Sequence, residues 1–218
     1  MTTQTLRLPT RTAVRAAGLV DVPAVVRLFA PPSDSAGPSL TAADGSAMDW
    51  EQTQRAMRLM LAHHALEEGQ VWVAEGSDGA LLAAGIWMPP DTGAGTGPPP
   101  DAHWRSLLSR ELDVCPPEHP VLSSALKAAG PDGPHWTLVT VTAPDSPEAQ
   151  DPGVIADLLA PGLRAVDAAH ATAVAITVSA RHTDQLRPFG FRRPHEVPVV
   201  PGAGVWLTTR PPQGAAAA

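Results

Sequence analysis

Apolar positions along the chain switch between a helical period and strand-like runs, and the switching outlines an α/β domain. Thr12 to Ala16 can form a first strand. Asp21 precedes Val22-Pro23, an N-cap followed by a first-turn proline, and Val22, Val25, Val26 and Phe29 then fall on one face of a helix. Residues 30–48 read as a loop. Asp49 caps a second predicted helix, Trp50 to about Glu67, with Trp50, Met57, Met60, Leu61 and His64 near one face and Gly69 at its end. Gln70 to Glu75 and Leu81 to Met88 are strands joined by Gly76-Ser77-Asp78-Gly79, a hairpin signal.

Residues 89–101 cannot be regular structure, and they open an irregular insertion over about 89–134 that could hold two short helices, Ala102 to Leu112 and Val121 to Ala128. The strand Trp136 to Thr142 follows, then a loop and a helix from Val154 to about His170. Val174 to Ser179 is a strand, Thr183 to Arg187 a short helix, and Val205 to Thr209 a last strand. This order predicts one domain over 1–210 with a disordered tail at 211–218.

Composition narrows the function. Lys127 is the single lysine among 15 Lys and Arg residues, Tyr and Asn are absent and there are 25 Pro, a bias expected of GC-rich coding. A net charge of −7 argues against nucleic-acid binding, which needs a positive field. No apolar run approaches the ~18 residues of a membrane span, and the N-terminus lacks a signal core. Cys115 is the sole cysteine, so neither an internal disulfide nor a cysteine metal cluster can form, as suits the cytoplasm.

Three blocks carry a more specific signal: GQVWVAEGSDGALLAAGIWMPP, HWTLVTVTAPDSPEAQDPGVIADLLAPGLRAVDAA and RPFGFRRPHEVPVVPGAGVWLTTRPP. In order and spacing they resemble the puromycin N-acetyltransferases of actinomycetes, within the GNAT superfamily, and TAVRAAGLVDVPAVVRLFA resembles that family's first strand and helix. The resemblance implies an α/β (α+β) GNAT fold, a mixed, mostly antiparallel sheet with splayed central strands flanked by helices. It implies acetyl-CoA in the cleft, with Gln150, Gly153, Val141 and Thr142 on the donor side, and direct attack by a small-molecule amine.

The chain departs from that family at three places. The diphosphate loop Q-x-x-G-x-G or A reads Gln150-Asp151-Pro152-Gly153-Val154-Ile155. Asp151 adds a negative charge, Pro152 removes an amide donor, and Ile155 puts a branched side chain where little fits. Like charges at such range repel by about 1 kcal/mol or more. The position of the family's acidic tyrosine is Leu186, and the position of its fifth-strand carboxylate is Thr177.

Other residues offer chemistry of their own. His182 and Asp184, near the expected mouth of the cleft, could form an acid/base pair. His63 and His64 stand at i, i+4 from Glu67 and Glu68, but no third ligand suggests a metal site, and His64 could instead act as a pocket base. Trp87, Trp50, Thr140 and Ser179 are candidate pocket residues, with a core role equally open to Trp87. Three readings remain: an N-acyltransferase for a small amine, with impaired acetyl-CoA machinery; a repurposed enzyme for cyclisation, elimination or hydrolysis without acyl-CoA in natural-product biosynthesis; and a non-catalytic ligand-binding protein. The sequence leaves the oligomeric state open, a homodimer included.

Overall fold

The computed structural model describes residues 12–29, 50–90, 129–143, 146–177, 180–200 and 203–213. Strand β1 (Ala13–Ala16) leads through a 3-10 turn into α1 (Val22–Leu28). Helix α2 (Trp50–Met60) continues through a π-helical turn, Leu61–Ala65, and a last α turn, Leu66–Glu68. Then follow β2 (Gln70–Glu75), β3 (Leu81–Met88), β4 (His135–Thr142) and the long helix α3 (Pro152–Ala168). The chain closes with β5 (Thr172–Thr177), α4 (Ala180–Leu186), β6 (Arg192–Val200) and β7 (Ala203–Arg210).

The strands form one sheet in the order β1-β2-β3-β4-β5-β7-β6. Among the described residues only β4 and β5 run parallel, and every other neighbouring pair is antiparallel. The predicted Gly76–Gly79 hairpin is present: Gly79 takes φ +80, and Asp78 Oδ1 accepts from the Ala80 N–H at 3.0 Å. Strand β6 is absent from the sequence reading. Its segment, RRPHEVPVV, carries Pro194 and Pro198, which remove ladder donors, and the strand lies at the sheet edge, where that is tolerated.

Asp21 occupies the N-cap position of α1, but its carboxylate does not cap the helix. It instead accepts two hydrogen bonds from Arg15, at 2.7 and 2.8 Å, and one from the Gly18 N–H, which hold its pKa below the usual carboxylate value.

Side chains alternate across the sheet and separate two cores. Val25, Val26, Leu61, Val73, Ile86 and Val141 pack on the α1–α2 face. On the other face, Trp87, Leu138, Leu159, Ala175, Leu186 and Phe191 pack with α3 and α4. Trp87, completely buried, lies against Gly162 of α3; a Cβ there would stand 2.2 Å from the indole, so only glycine lets helix and ring approach. Arg210, 5% exposed, bonds Asp167 at 2.6 and 3.1 Å and the Phe189 carbonyl at 2.8 Å, pinning α3 to β7.

Candidate active site

The parallel pairing of β4 with β5 runs from His135↔Thr172 to Val139↔Ile176 and stops. Beyond it, Thr140, Val141 and Thr142 still pair with β3, while Thr177 pairs with Trp206 of β7. The two strands therefore part after Val139 and Ile176. By alternation, Thr140 and Thr142 share the face of Leu138, toward α3 and α4, and both are half-buried. Val141 points the other way, 6% exposed in the α1–α2 core, so its side chain does not line the split. Thr177 is buried at the end of β5.

Helix α4 follows β5 and returns toward β4. Its His182 Nε2 lies 3.2 Å from Thr142 Oγ1, joining residues forty positions apart. Burial pushes the His182 pKa below its ordinary value, and the neighbouring Arg181 charge lowers it further. The lowered pKa favours the neutral imidazole, in which one ring nitrogen can accept a proton. The expected pair with Asp184 does not form. Positions two apart on a helix face different directions, and Asp184 instead meets Arg187 at 3.0 Å on the exposed side.

The turn between β4 and α3 supplies the second half of the site. A 3-10 turn, Glu148–Gln150, ends with the Gln150 side chain accepting from Arg181 Nη2 at 2.5 Å. Two contacts therefore span the split, Thr142 to His182 and Gln150 to Arg181. Arg181 escapes the sequence reading; a basic residue directly before the candidate histidine was the available signal.

Asp151 is the N-cap of α3, and its Oδ1 accepts from the Gly153 N–H at 2.7 Å. Pro152 has no N–H, and the Ile155 N–H already bonds the Asp151 carbonyl at 3.1 Å. Of the first-turn donors this leaves the Val154 N–H. The expected obstruction by Ile155 is not observed: its side chain turns inward, 7% exposed, into the core with Trp87 and Leu159.

Trp87, a pocket candidate in the sequence, is wholly a core residue, and its buried Nε1 has no hydrogen-bond partner among the described residues. His63 and Glu67 form an exposed i, i+4 pair at 4.0 Å. Among the described residues no three His, Cys, Asp or Glu side chains converge to hold a metal, and no helix is long and apolar enough to cross a membrane. The side chains of Trp50 and His64, and Ser179 and Cys115 entirely, lie outside the described residues, as do residues 91–128 of the insertion and 214–218 of the tail.

No protein-family model matches the chain. Among solved structures it is similar to a Corynebacterium glutamicum protein described as histone acetyltransferase HPA2 and related acetyltransferase, with TM-score 0.58 and 20% identity over 94% of this chain and 99% of that one. It is also similar to the C-terminal condensation domain of Ebony in complex with beta-alanyl-dopamine, with TM-score 0.54 and 10% identity over 92% and 99%. A Drosophila melanogaster polyamine N-acetyltransferase gives TM-score 0.51 and 11% identity over 91% and 99%. At such identities the likeness concerns architecture, and with its seven-stranded sheet and parted central strands the chain has the GNAT acetyltransferase fold.

Proposed function

We propose that this chain is a cytoplasmic N-acyltransferase for a small-molecule amine, with His182 as its proton-handling group and a donor site unlike that of acetyl-CoA enzymes. The observation that carries this reading is the His182 contact to Thr142 where β4 and β5 part, with burial holding the imidazole pKa below its ordinary value. The fold supports it, since proteins sharing it include a polyamine N-acetyltransferase and a condensation domain that binds beta-alanyl-dopamine. Small amines and their acylated forms thus belong to the ligand range of this architecture. The finer likeness to actinomycete puromycin N-acetyltransferases belongs to the same reading.

Acetyl-CoA fits this reading poorly. Its diphosphate needs backbone N–H groups at the start of α3, where Pro152 offers none and the Gly153 N–H is bonded to Asp151. In the chemistry of the remaining groups, a neutral amine attacks an activated acyl carbonyl. The C–N bond forms, the bond to the leaving group breaks, and His182 takes the proton from nitrogen and returns it to the leaving group. Leu186, buried where the family has tyrosine, cannot donate a proton.

The test is acylation of a panel of small amines from short acyl thioesters, followed by mass spectrometry, with His182→Ala as control. An acylated amine whose yield collapses in the variant supports the reading; no acylated product with any donor sinks it. A second reading, acid/base chemistry without any acyl donor, is favoured by the carboxylate already seated at the α3 terminus. Conversion of an amine ligand without acyl gain, still dependent on His182, would select it.

A further inference from the structure

We infer that Asp151 is a specificity residue that denies a diphosphate-bearing donor its hold on the α3 terminus, so that the cleft grips an acyl thioester only through its uncharged pantetheine portion. The inference rests on the acyl-transfer reading and adds the class of donor. Asp151 Oδ1 sits 2.7 Å from the Gly153 N–H, within the first turn of a seventeen-residue helix. A carboxylate of the chain itself thus holds the position at which a helix terminus would receive a phosphate oxygen.

A Cβ on Gly153 would stand 3.0 Å from Asp151 Oδ1, a side-chain end that need give by only a few tenths of an ångström. Asp151 is exposed, so its charge also faces any incoming phosphate. On the α4 side of the turn, the Arg181 guanidinium is engaged by the Gln150 side chain. A pantetheine arm makes no demand on the α3 terminus. It needs only the split beside the half-buried Thr140 and Thr142.

Calorimetric titration of the intact protein with CoA and with pantetheine tests this, through the ratio of the two affinities. The wild type is expected to bind both within about threefold, because the diphosphate adds no favourable contact. Asp151→Asn keeps a capping side chain but removes the charge, and Asp151→Ala also vacates the amide. The preference for CoA should rise in that order, by about tenfold or more in the alanine variant. If Asp151→Ala fails to fold, the asparagine variant still reports the charge effect.

Wild-type preference for CoA by about tenfold, an unchanged ratio in the variants, or no binding of either ligand at millimolar concentration each overturns the inference. Acyl transfer is assayed separately on the same samples. Intact ratios without turnover would sink the acyl-transfer reading while leaving the missing diphosphate contact standing.

Discussion

His182 Nε2 and Thr142 Oγ1, 3.2 Å apart, close a bond across the gap that opens once β4 and β5 stop pairing. The histidine comes from the helix after β5 and the threonine from the end of β4, so the contact exists only in the folded domain. If His182 moves the proton of the reaction, His182→Gln keeps a polar partner for Thr142 yet removes the base. Turnover should fall about 10²- to 10⁴-fold. The melting temperature measured beside kcat should barely move; equal losses in both would make the histidine a structural residue only.

The pKa of His182 is lowered, first by burial and then by Arg181. The active neutral form should therefore persist below pH 6.5, and the acid limb of kcat/KM should titrate below that ordinary histidine value. Arg181→Gln should move that limb upward. A limb at or above 6.5 in the wild type contradicts the assignment.

Folding stability carries the same sign. Below about pH 6.5 the unfolded chain takes up a proton at His182 that the folded chain resists. Stability from this residue is full above 6.5 and is lost as pH falls from there through the lower folded value. Denaturant melts across that interval should show the slope in wild type and a flatter profile in His182→Gln.

Gly162→Ala should destabilise the domain by about 1–3 kcal/mol, because the new methyl collides with the Trp87 indole between α3 and the sheet. Urea denaturation measures it, and a change within about 0.5 kcal/mol would mean that helix and ring part freely.

Asp167→Ala strands the Arg210 guanidinium, 5% exposed, leaving it the Phe189 carbonyl alone among the described residues. Breaking a buried pair costs up to about 3–5 kcal/mol; Asp167 is itself partly exposed, so about 2–3 kcal/mol is expected. Replacing both residues with apolar ones should recover part of the loss.

Local signals made most of the fold legible. The Asp-Gly turn located the β2–β3 hairpin, and the apolar run from Trp136 located β4, because each depends on neighbours in sequence. β6 is not legible in sequence, since its prolines argue against a strand until an edge position is known. The site was less legible. His182 stood out by its chemistry, but its partner lies forty residues away, and only the sheet register brings Thr142 beneath it. In sequence Asp151 is a charge in a ligand's place, while its hydrogen bond to Gly153 depends on where α3 begins. Trp87 and Ile155 resemble pocket and loop residues in sequence; the side of the sheet they face makes both core.

The prolines of β6 have an outcome for the molecule among its copies. At positions 194 and 198 the rim of the sheet presents no N–H, and Arg193 beside them adopts φ +55, outside extended geometry. A foreign β-segment trying to zip along that border would meet gaps and a kink, which discourages runaway stacking in a crowded cell.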